Sequence, residues 1–417
     1  MATVKSVKHI PTPLFDTLEH LNREYIESDY LSHLKLPENA ELDYQHACNF
    51  LQSYRGSLMT FNAYRRELER LIQWCWFVEK KSLPEIERTD VESFLEFCQV
   101  PPMHWIGIKR VDRFILDDDG ERMPNPEWRP FIAQVTKKAF RDGKTAQAKN
   151  YLSSQSGLQA IFAILSSFYK YLEQEQYVPL NPVAQIRQKS KFLRKRQNKA
   201  PVRRLSELQW AYVIETAELM AQENPNSHER TLFIMNALFA MYLRISELAS
   251  SDRWEAQMGH FYKDRDENWW FKTVGKGNKE RDVTVSDAML NALRRYRLSR
   301  DLSVLPSPGE NTPLIPKILG NGPIKETRQI RNIVQSCFNK AIDRLTHDGF
   351  DDEAEMLSAA TVHWLRHTGI SEDVKHRPRE HVRDDAGHSS SAITDRYIDI
   401  ELRARHASAK KKLIKPA

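Results

Sequence analysis

The chain has 417 residues, of which 41% are hydrophobic and 28% charged, with a formal net charge of +6. That length exceeds one typical domain and the apolar content is large enough for real cores, so two or three folded units are expected. No apolar run reaches the roughly 18 residues of a membrane span, residues 1–15 lack the apolar core of a signal peptide, and Cys48, Cys75, Cys98 and Cys337 form no CxxC pair. Neither a membrane span nor a disulfide framework nor a zinc site is therefore indicated, and a cytosolic location is expected.

Residues 1–45 begin with a polar lead and turn acidic between Glu19 and Asp43. They read as an N-terminal arm with a short helix over about 14–30. From Thr60 the pattern turns helical: Phe61, Tyr64, Leu68, Leu71, Ile72 and Cys75 share one face, while Arg65, Arg66 and Arg70 occupy the others. A second helix begins near Thr89, with Phe94, Leu95 and Phe97 in its next turns. Residues 101–150 read as a long loop or insertion, and Asp117 to Asp119 within it as a polar turn rather than a metal site. Residues 154–176 carry the clearest amphipathic stripe of this half, through Leu158, Ile161, Phe162, Leu165, Phe168, Tyr169 and Leu172.

Residues 187–204 (RQKSKFLRKRQNKAPVRR) hold nine Lys or Arg and no acid, so the chain's positive excess sits in one segment. Arg194, Lys195 and Arg196 at its centre suit phosphate neutralisation along DNA. A second domain starts near Leu205, with Ser206 as its first helix entry. Residues 232–249 form an apolar helical stretch broken by Arg244 and Glu247, charges that need pairing or use. Two runs rich in aromatic and β-branched residues, 269–274 and 281–285, flank the Gly-containing turn that carries Lys276 and read as a β-hairpin. Helices are expected over 287–300 and 328–345, and a short basic one over 401–415.

The last motifs carry the most chemistry. His363 stands three residues before Arg366 on a predicted helix, which puts an imidazole and a guanidinium on one face. His388 follows within Gly387-His388-Ser389-Ser390, and Tyr397 stands nine residues later. Arg offers a planar fork for phosphate oxygens, His moves protons near neutral pH, and Tyr can form a covalent phosphoester. Together these side chains suit the attack of a phenol on a held phosphodiester.

In order and spacing, Arg244 in LRISEL, Lys276 in VGKGNKERDVTV, His363 and Arg366 in HWLRHT, His388 in GHSS and Tyr397 resemble the tyrosine site-specific recombinases, the phage integrase family. The resemblance covers roughly residues 205–405. It implies that Arg244, Arg366 and His388 bind the scissile phosphate. Lys276 would protonate the leaving 5′ oxygen, His363 would assist proton transfer, Tyr397 would be the nucleophile, and Glu247 would support Arg244. The implied fold is mostly α with a small β-hairpin or sheet (α+β). An arm (1–45), a helical core-binding domain (46–186) and a basic linker (187–204) would precede a catalytic domain with a C-terminal tail (205–417).

The implied activity is DNA strand cleavage and rejoining through a 3′-phosphotyrosine, without metal or other cofactor, in integration, excision or transposition of a mobile element. Double-stranded DNA would be the partner, with two domains closing around it, four subunits assembling on two sites, and a nucleoid-associated location. Arg65 and Arg66 would add DNA contacts. Two alternatives stand beside it: a catalytically idle DNA-binding accessory protein on the same scaffold, and a type IB topoisomerase, which shares the chemistry. The chain departs from the family pattern at Tyr242 (usually Gly), at Ala386 (usually Leu) and in the charge density of residues 369–385.

Overall fold

A computed structural model describes residues 9–21, 35–135, 139–140, 143–186, 203–275, 277–397 and 410. The protein is mostly helical and divides into two compact units, Met1–Asn198 and Lys199–Ala417. No described helix is long and apolar enough to cross a membrane.

In the first unit, α1 (Ala40–Gln52) leads to α2 (Leu58–Trp74), which runs on as a π-turn through Glu79. Helix α3 (Arg88–Gln99) follows, then four short strands, β1 (Ile106–Gly107), β2 (Phe114–Leu116), β3 (Arg122–Pro124) and β4 (Phe131–Ile132), and finally α4 (Gln155–Gln174). The apolar stripes read from the sequence meet here: Phe61, Leu68, Leu71, Ile72 and Cys75 of the α2 segment share a buried core with Leu158, Ile161, Leu165, Phe168 and Leu172 of α4. The 101–150 segment has more order than a loop, since β1 pairs parallel with β4 and β2 pairs antiparallel with β3. Asp117 closes that hairpin by accepting bonds from the backbone of Asp119 and Glu121, which is the polar turn expected of it.

The N-terminal residues depart from expectation. Residues 14–21 are not helical, the rest of the expected 14–30 helix lies outside the described residues, and Leu14 and Phe15 are buried in the same core as Tyr44 of α1. Tertiary packing decides this stretch, since both apolar side chains are buried in the core.

In the second unit, Ser206 caps α5 (Glu207–Glu223) in a reciprocal capping box with Gln209. Pro225 opens α6 (Pro225–Ala240) after the Asn224 cap. Next come α7 (Ile245–Leu248), the strands β5 (Phe261–Lys263), β6 (Trp269–Val274) and β7 (Glu280–Thr284), and α8 (Asp287–Leu298). The chain continues through α9 (Thr327–His347), α10 (Asp351–Ser358), α11 (Val362–Asp373), α12 (Arg379–Ala386) and α13 (Ser391–Thr394), and a 3₁₀ turn carries Tyr397. The expected hairpin is two strands of a three-stranded antiparallel sheet in the order β5-β6-β7, with Val274 opposite Glu280 at the turn. Phe233, Ile234 and Leu238 of α6 pack in one core with Leu293, Val334, Phe338 and Leu365.

Residues 232–249 are not one helix. Helix α6 stops at Ala240, and Tyr242 takes a left-handed φ of 49°. The chain then restarts at α7 with Arg244 as its N-cap. A left-handed non-glycine residue costs on the order of 1 kcal/mol or more. Tyr242 offsets this by burying its ring against Ile370, Val382 and Ala386. Its hydroxyl donates to Asp373 and accepts from Arg377 Nη1 at 3.1 Å.

Those charges explain residues 369–385. Arg377 joins Asp373 at 3.1 Å to Asp385 at 2.6 Å, and Asp385 accepts from the Thr284 backbone at 3.1 Å. A polar network thus ties α11 to α12 and to β7.

Helix α11 crosses α6 at Gly369. A Cβ there would stand 2.0 Å from the Phe239 carbonyl oxygen, which is backbone and cannot swing aside. Gly369→Ala would gain about 1 kcal/mol of helix propensity. The clash outweighs that gain, because overpacking typically costs about 1–3 kcal/mol and the neighbour here is rigid. A net loss of about 2 kcal/mol or more is expected in urea unfolding, and unchanged stability would show that the two helices separate freely.

Candidate active site

The site is a pocket of about 1020 Å³ within the second unit, lined by Arg244, Arg281, His363, Arg366, His367, His388 and Tyr397. Five of the six sequence-predicted catalytic residues therefore line one cavity. Lys276 lies outside the described residues, but its neighbours Gly275 and Gly277 border the pocket.

Arg244 reaches the pocket because the helix breaks before it. As an N-cap residue it sits at a corner, with its side chain 26% exposed while Glu247 is 1% exposed. Glu247 accepts from the Arg244 backbone at 2.8 Å and from its Nη1 at 3.0 Å. It also accepts a bidentate pair from Arg281, at 2.7 and 2.8 Å. Burial pushes the Glu247 carboxyl up, but the bonds from Arg281 and Arg244 prevail and hold it below the usual carboxylate range. One buried anion thus fixes two cations. The remaining Arg244 Nη2 reaches the Gly387 carbonyl at 3.1 Å, and Arg281 Nε reaches the Asp385 carbonyl at 3.0 Å. Gly387 ends α12 with a φ of 62°, and a Cβ there would press on Arg281 at 3.0 Å, so glycine suits both the turn and the close approach.

Arg366 is almost fully buried and donates to the Tyr242 carbonyl and, at 2.5 Å, to the Ala386 carbonyl. Burial, then Arg244, pulls its guanidinium down to about 10, so it is still charged at neutral pH. Burial and the neighbouring Arg366 and Arg244 also hold His363 below the ordinary imidazole range. Burial, with Arg366 and Arg244 next, lowers His388 to about 4. His388 Nδ1 pairs with Thr394 Oγ1 at 2.9 Å, and its ring stacks on Tyr397 at 5.7 Å. The Tyr397 hydroxyl meets His367 Nδ1 at 2.6 Å.

Arg281 and His367 are the residues that motif reading passed over. Strand alternation puts Arg281 on the same face as buried Val283, and an arginine on an inward face is a signal. His367 lies four residues after His363 and so shares its helix face.

In the first unit, Arg65 and Arg66 line a separate cavity of about 780 Å³ with Arg70, Arg110, Arg113, Arg122 and Arg129, against Asp16, Glu67 and Asp112. Arg65 is held internally by the Asp16 carbonyl and, at 2.7 Å, by Asn62. Arg66 is half-exposed and pairs with Glu67 at 2.6 Å. Arg194, Lys195 and Arg196 lie outside the described residues, as does the expected 401–415 helix apart from Lys410.

Residues 209–403 match the family described as Phage integrase family. Tyrosine recombinase XerD of Rickettsia bellii is 28% identical over 170 residues, covering 40% of this chain and 51% of the relative. XerD of Rickettsia prowazekii is 29% identical over 164 residues, covering 39% and 49%. The chain thus spans about half the length of the curated relatives it matches. Among solved structures, the XerH site-specific recombinase bound to palindromic difH substrate in a post-cleavage complex superposes with a TM-score of 0.53. At 14% identity, over 91% of this chain and 90% of that one, it shows a shared fold. The stretch that matches the phage integrase family thus contains the pocket that holds Arg244, Arg366 and Tyr397 together.

Proposed function

We propose that this protein cleaves and rejoins DNA strands at specific sites through a covalent 3′-phosphotyrosine. The observation that carries the reading is the convergence of Arg244, Arg366, His363, His388 and Tyr397, from four separate segments, on one cavity. Arg244 and Arg366 would hold the two nonbridging oxygens of a phosphodiester and stabilise the extra charge of the pentacoordinate transition state. His388 would add a hydrogen bond from its Nε2 side, since Nδ1 is engaged by Thr394. Lys276, by the family pattern, would give a proton to the leaving 5′ oxygen. The phosphotyrosine keeps the bond energy, so rejoining by the 5′ hydroxyl needs no nucleotide.

The partner is double-stranded DNA. The arginine-lined cavity of the first unit, where Arg66 is half-exposed, supports a phosphate-contacting role there, as does the composition of the 187–204 segment. Assembly of four subunits on two sites follows the family pattern, in the compartment that holds the DNA.

A pool of nicked duplexes of random sequence tests this without a defined target. The pool is incubated with the full chain in EDTA without nucleotide. Covalently linked DNA is then recovered under denaturing conditions, and the linked peptide is mapped. Adducts on Tyr397 with an enriched sequence are expected, because the guanidinium groups supply the charge stabilisation that metals give elsewhere. A strict Mg²⁺ requirement for adduct formation, or no adduct at all, would reject the reading.

A further inference from the structure

The Tyr397 hydroxyl is already engaged before any DNA arrives. Its Oη stands 2.6 Å from His367 Nδ1, with the two rings 5.3 Å apart and inclined by 40°. The partners come from the middle of α11 and from the 3₁₀ turn after α13, so the tertiary fold alone brings them together.

We infer that His367 is the proton acceptor for Tyr397 in strand cleavage, an inference that rests on the strand-transfer reading above. The neighbouring histidines are placed for other work. His388 lies nearly parallel to the Tyr397 ring, at 15° with the centroids 5.7 Å apart, and turns Nδ1 to Thr394. His363 lies one helical turn away, its ring 6.2 Å from that of His367. Arg366 spends donors on the carbonyls of Tyr242 and Ala386. His367 presents a ring nitrogen to the attacking oxygen itself, within the reach that general-base catalysis requires.

The surroundings set when the proton moves. Burial, then His363 and Arg366, lowers the His367 imidazole to about 4, so it is neutral and open to a proton at neutral pH. Among the described residues, the charged and titratable groups that line the pocket with it are His363 and Arg366 on its own helix, Arg203 before α5, Arg244 before α7, Lys279, Glu280 and Arg281 at the start of β7, and His388 and Tyr397. In the free protein, the positive groups oppose an imidazolium. A bound phosphodiester between Arg244 and Arg366 offsets part of that charge, which raises the basicity of His367 when substrate is present.

In cleavage, the Tyr397 O–H bond breaks with its proton passing to Nδ1, and the phenol oxygen bonds to phosphorus. The phosphorus–O5′ bond then breaks, and the 5′ oxygen takes a proton from the acid on the opposite side, the role of Lys276 in the family pattern. Rejoining reverses each transfer and returns the proton from imidazolium to phenol.

The test uses the full chain and the DNA captured from the random pool. His367→Gln keeps a polar group of similar reach that cannot take the proton, and His367→Ala removes the group. Each is expected to bind DNA as wild type does, to melt within a few degrees of it, and to cleave about 10² to 10⁴ times more slowly in single turnover.

Between about pH 7 and 9 the wild-type rate should stay level. The variants should instead speed up as the pH rises, because the phenol must then lose its proton to solvent. A fluorinated tyrosine at position 397, whose phenol is more acidic, should speed the variants more than the wild type. Wild-type cleavage by His367→Gln would overturn the inference. So would a slow variant with a level pH profile and no response to fluorination, which marks a structural role. If the wild-type chain forms no adduct, the strand-transfer reading falls and takes this inference with it. An adduct whose rate ignores His367 overturns this inference alone.

Discussion

Tyr397→Phe is expected to abolish covalent attachment to DNA outright while leaving DNA binding and folding intact. The ring of Tyr397 is buried and stacks on His388, and phenylalanine preserves both the volume and that stacking. The change removes the hydroxyl and with it the bond to His367 Nδ1, a loss of about 1–3 kcal/mol for leaving that ring nitrogen unpaired. Such a cost stays below the stability of a domain, whereas the loss of the nucleophile removes the reaction path altogether. Denaturing gels of the variant with nicked duplex should show free protein alone, beside an unchanged mobility-shift titration. Adduct at the wild-type level would assign the nucleophile to another residue.

The second large effect is expected at Arg366. Removing one donor that stabilises transition-state charge costs about 10² to 10³ in rate, so Arg366→Ala should slow single-turnover cleavage by at least that order. This arginine is also structural. Its guanidinium satisfies the carbonyls of Tyr242 and Ala386 in a nearly closed environment. Truncation leaves those acceptors unpaired at roughly 1–3 kcal/mol, so the alanine variant should also melt lower. Arg366→Lys separates the two contributions. It keeps the charge but lacks the planar fork, so it should regain part of the stability while cleavage remains slow. Single-turnover rates at saturating protein, read beside thermal melts and DNA affinity, check this. A lysine variant that cleaves like wild type would show that charge alone is needed at this position.

Much of the site was legible because its chemistry sits in short motifs. His363 and Arg366 share a helix face by spacing alone, and the aromatic and β-branched runs around Lys276 dictate a hairpin whatever the rest of the chain does. The stripes of α2 and α4 were equally plain, since their burial follows from a helical period. The sequence by itself therefore determined the resemblance to the phage integrase family over residues 209–403, the helical class and the chemical identity of the arginines, histidines and tyrosine.

What only the tertiary structure decided is how those groups are held. The apolar run around Arg244 looks like one helix, yet it breaks at a left-handed Tyr242. A tyrosine gives no local signal for that conformation, because it is the pairing with Asp373 and Arg377, more than 130 residues away, that stabilises it. Glu247 looks in sequence like the partner of one arginine and serves two, since Arg281 reaches it only when β7 packs beside α7. The dense charges of residues 369–385 resolve into a network between α11, α12 and β7. His367 meets Tyr397 across 30 residues for the same reason. Local propensity acts over a few residues, whereas a buried charge or a reactive hydroxyl takes whatever partner the packed fold brings within hydrogen-bond reach.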